Sequence, residues 1–370
     1  MDREEEMFKN FDKSKFSIRR VGLKGPHRRG FLESLFGGAV ALSVAGELPA
    51  KESHSAIEDF SRGMHVVITG SGSALIDPYR GNASQAVIVD GQIIQFDCGR
   101  KAMDNLALVG INPVDVDFLF FTHLHFDHIA TYDYFVISSW IAGRREPFRV
   151  FGPRGTREMS ESAIFGMHKV DLKFIRHLIR SWPDEGTQPP VDQPPVDVRD
   201  CDAGLIVEND RFRVTAIETS HYRSMGVRSL GYRVDCDWGS VVISGDTAPS
   251  SELTELARGA DLLIHECVIP DPSMTEGGKF NATGGEKGRP EGHTSPAQLG
   301  AIAEKAGVKK LVATHLPPYT SSAGAVAMSQ KYYGSRRGPE IWDEFLASMR
   351  RHYRGPVILA SDGLVLRIGE

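Results

Sequence analysis

The segment Thr122-His123-Leu124-His125-Phe126-Asp127-His128 places three imidazoles and a carboxylate within six positions. Imidazole nitrogen and carboxylate oxygen are the donors that borderline cations such as Zn²⁺ prefer. A loop leaving a buried strand turns sharply enough for side chains at adjacent and alternate spacing to converge on two nearby points. Each residue alone reads as a satisfied core histidine or a solvated carboxylate. Together they point to a metal site. A second histidine, His315, ends the apolar run Leu311–Thr314 as His123 ends the run Val116–Thr122. The two halves of the chain thus echo each other as strand-then-histidine units meeting at one site.

The elements that must position these groups read as follows. Val66–Thr69 is a strand followed by the tight turn Gly70-Ser71-Gly72-Ser73, which lacks the third glycine and following helix of a dinucleotide fingerprint. Ala86–Val89 and Gln92–Phe96 form a hairpin around Asp90-Gly91, and Arg100–Val109 is helical. Arg176–Asp200, with two Pro-Pro pairs, reads as a long surface excursion. Strands resume at Phe212–Ile217, Gly231–Asp235, Ser240–Ser244 and Asp261–His265. Ser295-Pro296 opens a helix that stops at Gly307, a second amphipathic helix covers Glu340–His352, and Asp362-Gly363 turns a closing hairpin.

The 370 residues are 41% hydrophobic and 25% charged, with 38 glycines and 20 prolines, which excludes a disordered or fibrous chain and disfavours an all-helical one. A formal net charge of −5 gives no general pull towards nucleic acid. Cys98, Cys201, Cys236 and Cys267 are too sparse for a disulfide scaffold and read as core residues, with a Cys201–Cys236 bond conceivable in an oxidising compartment. Residues 1–45 read as a twin-arginine-type export signal: Arg28-Arg29 supply the charged region, Leu35–Ala45 the short apolar run, and Ser43 and Ala45 the small residues before cleavage. The run is too short to span a bilayer, which takes roughly 20 residues. The expected location is periplasmic, with the export machinery as a partner and no stable membrane association. A twin-arginine route suits a protein that loads metal while folding in the cytoplasm.

The HxHxDH pattern of His123–His128 resembles the signature of the metallo-β-lactamase fold superfamily, and further pieces follow in that superfamily's order. Phe96-Asp97-Cys98-Gly99 is similar to the acidic strand end before the motif, Glu218-Thr219-Ser220-His221 to the third histidine, Ser244-Gly245-Asp246-Thr247 to the bridging aspartate, and His315 to the last ligand. The resemblance implies an α/β fold, an αββα sandwich of two mixed β-sheets flanked by helices, over a catalytic domain at residues 64–370. It also implies two Zn²⁺ ions: His123, His125 and His221 hold one, Asp127, His128 and His315 the other, and Asp246 bridges them. Such a pair acidifies a water to work near neutral pH. Asp97 is expected to orient a ligand or the nucleophile from behind.

Within the superfamily the marks Gly231-Tyr232-Arg233-Val234, Asp261–Glu266 and His293-Thr294-Ser295-Pro296 resemble the ribonuclease Z and arylsulfatase-like branch. That resemblance implies a proton-handling pair, Glu266 with His293, which joins Asp127 as the expected catalytic set. His265 is expected to be packed. The preferred reading is a zinc-dependent hydrolase of a small aromatic substrate, an aryl sulfate or ester. The alternative is hydrolytic dehalogenation of a chlorinated aromatic such as chlorothalonil; Phe126, Tyr132, Tyr134, Phe135 and Trp140 would then line an apolar pocket, although rings at this spacing are more often core. Processing of tRNA 3′ ends ranks lower because of the acidic balance, the export signal and the lack of an assignable basic, glycine-rich arm. An iron-dependent sulfur oxygenase ranks lower because the second ligand set is complete. The expected partner is therefore a small molecule rather than nucleic acid, and a homo-oligomer is compatible with the sequence.

Overall fold

A computed structural model describes residues 59–181, 192–274, 292–318 and 338–369. The expected export signal at residues 1–45 lies outside the described residues.

Two seven-stranded sheets face each other. The first comprises β1 (Met64–Gly70), β2 (Ser84–Val89), β3 (Gln92–Phe96), β4 (Val116–Phe120), β5 (Phe148–Pro153) and β6 (Val196–Cys201), with β14 (Leu364–Ile368) beside β1. The second comprises β7 (Gly204–Glu208), β8 (Arg213–Glu218), β9 (Leu230–Cys236), β10 (Gly239–Ile243), β11 (Leu262–Glu266), β12 (Leu311–Thr314) and β13 (Val357–Leu359), in order. Both sheets mix parallel and antiparallel pairs.

The central strands are apolar almost throughout because both of their faces are buried, whereas the edge strands β6 and β7 are partly exposed. Alternate residues Val66, Ile68, Val87, Ile94, Phe96, Phe118 and Phe120 meet Val214, Tyr232, Val241, Ile243 and Ile264 between the sheets. The other face of the first sheet packs under α1 (Ala102–Leu108), α3 (Tyr132–Ile141) and α5 (Lys169–Ser181). The second sheet packs under α6 (Ser251–Leu256), α7 (Pro296–Ala306) and α8 (Gly338–His352). This is the expected αββα sandwich.

Local signals held where they were strongest. Asp90 and Gly91 both take positive φ, 46° and 80°, as a two-residue hairpin turn requires. Ser295 and Gln298 form a capping box on α7, Pro296 occupies its first turn, and Gly307 ends it at φ 64°.

Two expectations change, and two open alternatives close. The closing segment is no hairpin: β13 pairs with β12 in the second sheet and β14 with β1 in the first, so Asp362-Gly363 carries the chain from one sheet to the other. Alternating apolar residues specify a strand but not which sheet takes it. Asp362 fixes that crossing by accepting from Ser71, Gly81 and Asn105. The excursion at Arg176–Asp200 is shorter than its composition suggests, since α5 continues to Ser181 and β6 begins at Val196. Tyr132, Phe135 and Trp140 are core, as their spacing favours, while Phe126 and Tyr134 are exposed, so the five rings do not form the alternative pocket lining. Cys201 and Cys236 are free and stand on strands of different sheets.

Candidate metal centre

The strand ends of both sheets converge at one edge of the sandwich. Beneath that edge the Tyr232 hydroxyl of the second sheet donates to the Phe121 carbonyl of the first (2.7 Å), which seats the end of β4 against β9. The chain then turns through His123 and His125 into α2 (Phe126–Ile129), a single turn that presents Asp127 and His128 inward. Across from it, Gly245 takes φ 57° against β4, and a Cβ there would stand 2.7 Å from that of Thr122. Only glycine lets the loop come close enough to deliver Asp246.

His123 Nε2 and His221 Nε2 lie 3.0 and 3.1 Å from His125 Nδ1. Donors held at about 2.0–2.1 Å around a tetrahedral cation stand about 3.3 Å apart, so this spacing suits three ligands of one ion. Burial holds His123 well below the ordinary imidazole range, lowers His125, and takes His221 down to about 4. All three are therefore neutral near pH 7, the form that ligates.

The second group lies beside it. His315 Nε2 is 3.2 Å from Asp127 Oδ2 and 3.3 Å from Asp246 Oδ2, and His128 Nε2 is 3.5 Å from Asp246 Oδ1. Asp246 Oδ2 is also 4.0 Å from His123 and 3.9 Å from His221, so it stands between the groups. His128 Nε2 and Asp246 Oδ1 are buried with no hydrogen-bond partner among the described residues. Buried polar atoms are rarely left so, and here the donor set fits a cation. Burial alone would depress His128, yet the carboxylates of Asp246, Asp97 and Asp127 hold it well above its ordinary range. Three buried carboxylates thus demand positive charge at this point, from a proton or a metal.

The non-ligating atoms are tied down from behind. Asp97 accepts from the Thr122 amide and hydroxyl, both at 2.8 Å, and lies 2.8 Å from His128 Nδ1. His221 Nδ1 donates to the Gly292 carbonyl at 2.7 Å. Each contact leaves Nε2 facing the centre. The Gly292 carbonyl was not among the sequence candidates, because a backbone acceptor carries no residue-type signal.

Glu266 ends β11 and is buried. Its Oε1 accepts from the Thr294 amide (2.9 Å) and meets His293 Nδ1 at 3.1 Å, while His293 Nδ1 stands 4.0 Å from Asp246 Oδ2. Burial works against charge on His293, but the Glu266 carboxylate overrides it and raises the imidazole to about 9. His265 is packed, its Nδ1 on the Glu266 carbonyl at 2.8 Å. All the sequence candidates therefore share one cluster.

A family model described as the beta-lactamase superfamily domain matches residues 75–316. Ribonuclease Z of Mycobacterium bovis is 32% identical over 260 residues, which is 69% of this chain and 86% of that protein. The chain belongs to the beta-lactamase superfamily. Ribonuclease Z of Methanothermobacter thermautotrophicus is 29% identical over 299 residues, 68% of this chain and 86% of that one. Among solved structures, a metallo-beta-lactamase fold protein of Bacillus subtilis superposes with TM-score 0.58 at 17% identity, covering 82% of this chain and 98% of that one. The short form of human tRNase Z gives TM-score 0.53 at 21% identity, covering 82% and 99%. Both establish the fold. The chain is thus a metal-binding hydrolase of this superfamily.

These relatives overturn the expected aryl sulfate, ester or chloroaromatic substrate, and with it a small-molecule partner and the exclusion of nucleic acid. The physical reason lies in the charge argument. A net charge of −5 is a sum over the whole surface, whereas binding answers to the local field. That sum counts exposed Lys169 and Lys173 on α5 but carries no information on where they stand. Among the described residues no helix is long and apolar enough to cross a membrane.

Proposed function

We propose that this protein hydrolyses phosphodiester bonds in RNA as an endonuclease of the ribonuclease Z type, with precursor tRNA as its substrate class. The observation that carries the reading is the 32% identity to an enzyme of that name across 86% of its length. Two zinc ions would be held, one by His123, His125 and His221, the other by Asp127, His128 and His315, with Asp246 between them. Bound there, such ions supply Lewis acidity towards a phosphoryl oxygen and a nucleophile active near neutral pH.

The chain's own residues account for the remaining work. Asp97 holds His128 at Nδ1, and the Gly292 carbonyl holds His221, which keeps both rings oriented. Glu266 keeps His293 protonated and aimed at the cluster. As the phosphorus–oxygen bond to the departing ribose breaks, His293 gives its proton to that oxygen, and Glu266 stabilises the neutral ring's orientation for reprotonation. The two cleavage products would carry a hydroxyl and a phosphate.

Incubating the zinc-loaded protein with a 3′-extended precursor tRNA tests the reading. A single cut beside the acceptor stem is expected. Intact precursor after prolonged incubation, with both ions bound, overturns it. Export, which rests on Arg28-Arg29, is a proposal that competes with this reading, because an exported enzyme would leave the compartment where precursor tRNA is made: an Arg28→Lys, Arg29→Lys variant is expected to stay in the cytoplasmic fraction, and unchanged distribution rejects export.

A further inference from the structure

Tyr222 follows His221 and takes φ 45°, a left-handed conformation that a tyrosine adopts at a cost of about 1–3 kcal/mol. That conformation sets its ring against His221 and His293. The ring centroid lies 4.7 Å from that of His221 and 5.9 Å from that of His293, nearly perpendicular to the latter at 84°. Beneath the ring is Gly292. A Cβ built there would stand 2.5, 2.7 and 2.9 Å from three ring carbons, closer than a Cβ packs against carbon without something shifting. The same glycine's carbonyl accepts from His221 Nδ1.

Two segments with no local connection are thus joined beside the site. One is the loop after β8, carrying His221 and Tyr222. The other precedes α7, carrying Gly292 and His293. We infer that the Tyr222 ring and the bare Cα of Gly292 form a lock that sets His293 at its distance from the metal cluster, with Tyr222 as a positioning residue. The inference rests on the proposed role of His293. Backbone strain at Tyr222 is tolerated because the ring it aims holds two functional histidines at once, one through packing and one through the Gly292 carbonyl.

The lock predicts a pattern that simple destabilisation does not. Gly292→Ala forces the ring or the loop aside, and a displacement of about 1 Å at a proton donor costs about 10²-fold in kcat. Tyr222→Ala releases the segment and lowers kcat with little change in KM, and Tyr222→Phe, which keeps the ring, recovers the loss. The deciding protein is the double variant Tyr222→Ala with Gly292→Ala, where the new methyl has room. Its kcat is expected to rise about tenfold or more above Gly292→Ala alone, a coupling typical of residues in contact. The visible spectrum of the cobalt-loaded proteins gives a second readout: the band shift expected in Gly292→Ala, through His221, returns towards wild type in the double variant. A double variant no better than Gly292→Ala in either measurement overturns the lock. Because the cobalt spectrum needs no substrate, it reads the lock even where precursor tRNA is not cleaved, so the two proposals fail separately.

Discussion

Thr122-His123 and Thr314-His315 end parallel-paired strands in opposite sheets, yet their surroundings differ. Thr122 spends its hydroxyl on Asp97 Oδ2 at 2.8 Å, and its amide bonds the other oxygen of that carboxylate. Thr314 is also buried, but its hydroxyl has no hydrogen-bond partner among the described residues. The first strand end opens a loop that delivers His123, His125, Asp127 and His128 together, braced by Asp97 from behind. The second half delivers His221, Asp246, Glu266, His293 and His315 each from its own strand end or loop. One half is a local device and the other an assembly that exists only once the sheet has formed.

The largest effect should come from the residue between the two groups. Asp246→Ala removes a carboxylate that faces both, and transition-state stabilisation worth several kcal/mol goes with it, so activity should fall by about 10³-fold or more with metal lost from both groups. Asp127→Ala is the local counterpart: one metal should be lost and one kept. Elemental analysis distinguishes them. Equal losses in the two variants would break the picture of Asp246 as shared between groups.

Next comes His293→Ala, which should lower kcat by about 10²–10⁴-fold with metal content intact. The loss should be small for a bis(p-nitrophenyl) phosphate substrate, whose phenolate departs without a proton. Loss of metal would make His293 a ligand instead. Asp97→Asn should weaken metal binding by about 10–100-fold, as expected for a group that orients a ligand from behind. Chelator competition would measure it. No change would mean that the local loop needs no brace.

The same contrast explains what was legible in the sequence. Asp127 and His128 stand out because they share one loop with His123 and His125, so residue type and spacing alone suffice. His221, Asp246 and His315 are visible only through their order along the chain. Gly292 and Tyr222 were missed because their contribution is a carbonyl, a missing Cβ and a ring packed across a fold-level junction. The central strands were readable because strands buried on both faces are continuous apolar runs, whereas β5, β6 and β7 were not read as strands, and β13 and β14 were misjoined because partner choice is set by the sheet and by Asp362. Substrate class was misread because net charge and aromatic content describe the whole chain, and substrates meet only a patch of it.

The smallest effect separates the two strand ends most cleanly. Thr122→Val deletes a donor to a buried carboxylate and leaves Asp97 short of a hydrogen bond, a cost of about 1–3 kcal/mol for a group of that kind. Thr314→Val removes a buried hydroxyl that bonds to no described protein group, and replacing it with a methyl of similar shape should be neutral within about 0.5 kcal/mol or stabilising. Denaturant midpoints of the two metal-free variants would show the difference. Equal losses would mean that the Thr314 hydroxyl has found a partner in solution, and that the second strand end is braced as firmly as the first.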